Sequence, residues 1–269
     1  MVKNTITSNG APMYLKEFEQ LVDIMKRLRK ECPWDREQTP ESLRQYIIEE
    51  AYETIEAIDN QNWDELRKEL GDLLLQIIFQ AEIAQENNRF TLADVIRHIN
   101  EKLIERHPHV FGDVKAETAG EVKDNWEQIK VKKENRQSIL EGLPKIMSAL
   151  LLAQRVQDKA SQVGFDWEKP QDVVEKVKEE IEELQESIET NTPREVEEEI
   201  GDLLFSLVNL CRFYNVNGED ALRKTTNKFI SRFQYIEKKL SEQNNSPREA
   251  TLEEMDKLWE EAKLRSKKG

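Results

Sequence analysis

Two sets of acidic residues share one spacing. Glu50, Glu53, Glu69 and Asp72 form the first, and Glu180, Glu183, Glu199 and Asp202 the second, each member lying 130 residues from its counterpart. A further acid, Glu49 or Glu179, precedes each set, and a glycine, Gly71 or Gly201, stands between its last two members. Within a set the acids form two pairs spaced three apart, and residues three apart share a helix face. Turn-forming residues separate the pairs, Asn60-Gln61-Asn62 in one copy and Asn191-Thr192-Pro193 in the other. Counted outward from Gln61, Glu53 and Glu69 stand 8 residues away and Glu50 and Asp72 stand 11 away; Glu183, Glu199, Glu180 and Asp202 repeat this about Asn191. Equal distance from the turn of an antiparallel helix pair means equal height. The spacing therefore predicts four carboxylates converging at one level between two helices, twice.

Four like charges so placed repel one another, and burial beside an apolar run adds a desolvation cost. A divalent cation removes both penalties. All-oxygen ligands select a hard ion, Mg²⁺ or alternatively Mn²⁺. A di-iron bundle would need Glu-x-x-His pairs, and the only histidines, His98, His107 and His109, lie outside both sets. The competing reading is a solvated acidic helix face, ordinary in a chain with 54 acidic residues. Two copies in register favour the metal. The glycines lower helix propensity, and close approach of the facing helix is the role expected for them.

The elements that must hold these acids are helices. Before each set lies an aromatic–acidic turn, Cys32-Pro33-Trp34-Asp35 or Gly164-Phe165-Asp166-Trp167. Residues 14–31 carry apolar side chains at spacings of three and four. Thr39-Pro40-Glu41 reads as a helix start with Pro at the first position. The first acidic helix places Leu43, Ile47, Ala51, Ile55 and Ile58 on one face; its counterpart begins at Pro170 and places Val173, Val177, Ile181, Leu184 and Ile188 there. After each turn comes an apolar run, residues 73–79 and 203–208, expected to be buried. Helices are also expected at 91–105, 120–134, 145–161, 220–242 and 252–266. The repeat divides the chain into a flexible tail (1–13), a first helical domain (14–134), a linker containing Gly142 and Pro144 (135–144) and a second helical domain (145–269).

The 269 residues carry a net charge of −14, which argues against a nucleic-acid partner. A small anionic ligand remains compatible, because a metal reverses the local sign. Two cysteines in this length do not make a disulfide framework. With no apolar run near the roughly 20 residues needed to span a bilayer, and no signal-peptide core, the expectation is a cytoplasmic protein without a membrane partner.

Glu-Glu-x-x-Glu followed by Glu-x-x-Asp, with the two aromatic–acidic turns and the stretches 69–76 and 201–205, resembles the MazG family of nucleoside triphosphate pyrophosphohydrolases, in its two-domain bacterial form. The resemblance covers residues 14–263. It implies an all-α fold of two tandem MazG-like bundles, a homodimer, and Mg²⁺-dependent cleavage of ribo- and deoxynucleoside triphosphates to monophosphate and pyrophosphate by a metal-activated water. It also implies that the second domain does most of the work. Carried over by position, Glu180, Glu183, Glu199 and Asp202 hold the metal. Glu179, Glu198 and Lys176 act in catalysis, and Lys176, Glu179, Glu180, Glu198, Asp202, Lys228, Arg232, Trp259 and Lys263 bind the nucleotide. The first copy would be a secondary metal site of Glu49, Glu50, Glu53, Glu69 and Asp72.

Comparison of the copies supports the asymmetry. Tyr46 replaces Lys176 and Lys68 replaces Glu198, whereas Lys102, Arg106, Trp126 and Lys130 echo Lys228, Arg232, Trp259 and Lys263. Lys176 lies one helical turn before Glu179, within reach of a phosphate. Two other readings remain open from the residues alone: a non-catalytic helical regulator stabilised by a cation, and a pyrophosphohydrolase specific for one nucleotide such as dUTP.

Overall fold

The computed structural model describes residues 12–116, 118, 120–122, 138–190 and 193–266. Among these residues the chain is all-α, and it divides into two compact units, Met1–Trp126 and Glu127–Gly269. The helix expected at 120–134 is described only at 120–122. Part of the expected linker, residues 135–137, also lies outside the described set.

The first unit contains α1 (Met13–Glu31), α2 (Pro33–Glu37), α3 (Arg44–Asp59), α4 (Trp63–Glu86), α5 (Leu92–Arg106) and α6 (Pro108–Phe111). Helices α3 and α4 form a hairpin, and α1 packs on α4. Met25, Leu43, Ile78, Phe79 and Ile83 make the core. The turn residue Gln61 has φ 51°, and Asn62 caps α4 by accepting a hydrogen bond from the Glu65 N–H. Thr39 does not start α3 as expected. Its hydroxyl accepts from the Ser42 N–H, which closes a turn, and regular helix begins at Arg44.

The second unit contains α7 (Ala149–Ser161), α8 (Pro170–Thr190), α9 (Pro193–Phe213), α10 (Gly218–Glu242) and α11 (Leu252–Ser266). Helices α8 and α9 form the second hairpin, α7 packs on α9 and α10, and α11 packs on α10. The Gln157 amide donates to the Phe205 carbonyl at 2.8 Å, which pins α7 to α9 beside the acidic layer.

Buried positions in both hairpins recur at sevens, the spacing of a closely paired helix seam. Leu43 and Ala57 are buried with Glu50 half-buried between them, and Glu69, Gln76 and Ile83 are buried on the facing helix. Val173, Glu180 and Ser187 repeat the pattern in α8. Not all residues of the shared apolar faces are buried. Ile47, Ile55 and Ile58 are exposed, as are Ile181 and Ile188. The seam takes Leu43, Ile83 and Val173 together with small and polar side chains, and the exposed isoleucines of α3 and α8 face outward from their own unit. The apolar runs are covered on one face only. Ile78, Phe79 and Val208 are buried, whereas Ile77, Leu204, Phe205 and Leu207 are exposed. The expected role of Gly71 and Gly201 is also not met within a unit: a Cβ at either position would meet no atom within 4 Å.

An arginine secures the aromatic–acidic turn in each unit. Arg29 of α1 is buried, pairs with Glu86 of α4, and donates to the carbonyls of Asp35 and Gln38. Arg212 of α9 pairs with the Asp166 carboxylate and lies 4.8 Å over the Phe213 ring. The two arginines come from different helices and hold equivalent turns.

Candidate active site

The hairpin geometry brings three acids of each set together. Carboxylate oxygens of Glu50, Glu69 and Asp72 lie within 4.8 Å of one another, and so do those of Glu180, Glu199 and Asp202. Each trio draws one acid from the first helix of its hairpin and two from the second. Glu53 and Glu183 stand beside the trios, Glu53 near enough to act on Glu69 and Glu183 near enough for its charge to act on Glu199. The turn residues Asn191 and Thr192 lie outside the described residues.

Electrostatics mark both layers as short of positive charge. The Glu199 carboxyl is pushed above its ordinary range by desolvation and by the charges of Glu183, Asp202, Glu180 and Glu198. Desolvation, the Glu53 contact and neighbouring charges push Glu69 up in the same way. Glu50 is raised by desolvation and by the charges of Asp72, Glu53 and Glu49. Convergent oxygens that resist carrying their charges together form a donor set suited to a divalent cation.

The two layers differ in the cation beside them. Lys176 Nζ lies 2.8 Å from Glu179 Oε1 and 2.7 Å from Glu180 Oε1, although Glu180 is only 5% exposed. Hydrogen bonds to Glu179 and then Glu180 hold the ammonium far above its usual range, so it stays charged. Tyr46, in the corresponding place, instead packs edge-on against Trp34 with ring centroids 6.1 Å apart. Glu198 is paired with Arg194 at 3.0 Å, and its counterpart Lys68 with Glu65 at 2.7 Å. Glu49 is exposed.

The residues expected to bind nucleotide form a second cluster on α10 and α11. The Arg232 guanidinium lies 5.4 Å over the Trp259 ring, and its Nε is buried without a hydrogen-bond partner among the described residues. Lys263 pairs with Glu260 at 2.7 Å, and Lys228 is exposed. Two residues of this cluster were not singled out from sequence. Phe229 contacts Trp259 at 5.1 Å and stacks on Phe233 at 6.1 Å. The signal was available: Phe229-x-x-x-Phe233 interleaves with Lys228-x-x-x-Arg232, so aromatic and cationic side chains alternate along one side of α10. Trp126 and Lys130, the counterparts of Trp259 and Lys263, lie outside the described residues.

An all-α fold with two such hairpins has a direct counterpart among known proteins. The MazG nucleotide pyrophosphohydrolase domain matches residues 38–111 and 168–236, the stretches that contain the two hairpins. The fold and site thus define an enzyme of the nucleotide pyrophosphohydrolase class. The chain is 50% identical, over 91% of its length and 95% of the relative, to the "Nucleoside triphosphate pyrophosphohydrolase/pyrophosphatase MazG" of Thermotoga maritima. It is 40% identical, over 93% of its length and 98% of the relative, to the "Nucleoside triphosphate pyrophosphohydrolase" of Escherichia coli K12. It is 46% identical to Bacillus subtilis YabN over 92% of its own length and 52% of that protein. The chain belongs to the MazG family, and it carries the family's domain twice in tandem. Among the described residues no helix is long and apolar enough to cross a membrane.

Proposed function

We propose that the protein hydrolyses ribo- and deoxynucleoside triphosphates to monophosphate and pyrophosphate with Mg²⁺, and that the second domain (145–269) does the principal work. The observation that carries this reading is the convergence of Glu180, Glu199 and Asp202 on one another, with Lys176 resting on Glu180, within a matched MazG domain. Glu180, Glu183, Glu199 and Asp202 would hold the ion. Bound there, Mg²⁺ would draw in the phosphates and make a water acidic enough to attack the α-phosphorus, with Mn²⁺ a serviceable substitute. Lys176, Lys228 and Arg232 offset charge that builds on the phosphate oxygens. Glu179 and Glu198 flank the layer and orient the attacking water. Trp259 and Lys263 complete the nucleotide site. An aromatic face accepts any base, in keeping with broad specificity.

The first-unit site of Glu49, Glu50, Glu53, Glu69 and Asp72 keeps the metal acids but lacks the lysine at Tyr46. We assign it a weaker or altered role. A homodimer is part of the same reading. The exposed isoleucines of α3 and α8, with Leu70, Ile77, Ile200 and Leu204, offer apolar surface for a second copy. Gly71 and Gly201 lie beside those residues, where they would permit its close approach. The cytoplasm is the expected location, and nucleic acid is not an expected partner.

Incubation with each nucleoside triphosphate and Mg²⁺, with monophosphate and pyrophosphate quantified, tests the activity. Product from several nucleotides is expected; product from one alone would show narrow specificity, and none at all would remove the reading. Asp202→Ala should lower kcat at least about 100-fold, as for loss of a principal charge-stabilising group, and Asp72→Ala should leave most turnover intact. The reverse pattern would move the working site to the first unit.

A further inference from the structure

We propose that Lys176 makes metal loading of the second-unit site dependent on the nucleotide, whereas the first-unit site takes free metal ions. The inference rests on the metal reading above and adds an order of binding to it. Lys176 Nζ sits 2.7 Å from an oxygen of Glu180, one of the three converging acids. Mg²⁺–oxygen distances are about 2.1 Å. An ion on that oxygen would therefore lie no more than about 5 Å from the ammonium, and two cations at that separation repel strongly in a half-buried layer. Lys176 has somewhere to go. Its side chain is 34% exposed and already touches Glu179, which is 57% exposed on the outer side. A triphosphate arriving with the ion supplies the negative charge that a displaced ammonium needs. Free metal supplies none.

Among the described residues, the first unit contains no such competitor at this place. Tyr46 packs on Trp34, and the charges that bear most on Glu50 come from other acids: Asp72, Glu53 and Glu49. Lys68, the nearby lysine of that hairpin, is paired with Glu65. The two sites therefore share a donor trio and differ in a built-in cation. The chain would carry one site that fills at ambient metal concentration and one that fills as substrate arrives.

The test is Mn²⁺ binding to the full chain, followed by electron paramagnetic resonance, with and without a triphosphate analogue that has a methylene bridge between the α- and β-phosphorus. Wild-type protein should show a tighter and a weaker Mn²⁺ site per chain. Asp72→Ala should remove the tighter one and Asp202→Ala the weaker. Lys176→Met should tighten the weaker site about tenfold without analogue, a typical coupling between interacting sites. The variant should also reduce the further tightening that the analogue causes in wild type. Circular dichroism checks that Lys176→Met is folded, and Lys176→Gln provides a second variant. The proposal is overturned if either folded variant leaves the weaker site's affinity unchanged or lowers it, or if both wild-type sites bind Mn²⁺ equally. Absence of Mn²⁺ binding at both sites would instead remove the metal reading, and this inference with it.

Discussion

Replacing Arg29 by Met should destabilise the first unit by about 3 kcal/mol. The side chain is 8% exposed and serves three partners at once. Its Nε donates to Glu86 Oε1 at 3.0 Å, its Nη2 pairs with the other Glu86 oxygen, and its Nη1 donates to the carbonyls of Asp35 and Gln38, the latter at 3.2 Å. The guanidinium also lies 5.7 Å over the Phe79 ring. Methionine fills much of the same space, so the loss is chiefly polar. The Glu86 side chain is 38% exposed and can turn to water, which limits that pair to about 1 kcal/mol. Each of the two carbonyls then loses a charged donor at about 1 kcal/mol apiece. The transition of this unit should fall by about 10 °C. Urea unfolding followed by far-UV circular dichroism and tryptophan fluorescence measures the change, with the m-value expected to hold. Glu86→Gln is the control and should cost only about 1 kcal/mol, because it leaves both carbonyl bonds intact. If Glu86→Gln costs as much as Arg29→Met, the carbonyl clamp contributes nothing and the reasoning fails. A loss below about 0.5 kcal/mol for Arg29→Met, the range of ordinary surface changes, would refute it equally.

Other perturbations follow from the same geometry. The raised carboxyls of Glu50, Glu69 and Glu199 bind protons more readily folded than unfolded. Chelator-treated protein should therefore lose stability as pH rises from the ordinary carboxylate range through the raised one, and saturating Mg²⁺ should oppose that loss at neutral pH; thermal melts with and without the ion that show no difference in pH trend would contradict this. Phe229→Ala should lower kcat/KM about tenfold, mainly through KM, if the ring supports Trp259 and Arg232 in nucleotide binding; an unchanged KM would reduce Phe229 to helix packing. Gly164 has φ +84° with open space around it. Gly164→Ala should thus cost about 1 kcal/mol from backbone strain alone, and a neutral result in chemical denaturation would show that the turn adapts freely.

The packing of α3 and α8 shows where sequence patterning reaches its limit. Periodicity identified both helices, because apolar residues at spacings of three and four are a local property of the chain. It grouped residues that the fold separates, because Leu43 and Val173 of those faces are buried while Ile47, Ile55, Ile58, Ile181 and Ile188 are exposed. In the fold the seam mixes large side chains such as Leu43, Gln76 and Ile83 with small ones such as Ala57 and Thr54. A hydrophobicity pattern ranks side chains by their affinity for water, but entry into a seam also depends on how each helix is rotated against its partner.

The acids themselves were legible from one dimension. Their distances from the turns, repeated at a constant offset, led to both carboxylate trios, since antiparallel pairing converts equal spacing into equal height. The sequence also carried the family resemblance, the all-α class and the difference between Lys176 and Tyr46. Tertiary structure alone decided which acid of each four stands outside the closest trio, that Lys176 rests on Glu180, that Arg232 lies over Trp259 with Phe229 beside it, and which helix supplies the arginine behind each aromatic turn. The physical reason is range. Helix periodicity and turn chemistry act over a few residues and can be read along the chain, whereas rotamer, helix rotation and the partner of a long cationic side chain depend on what the fold brings within a few ångströms.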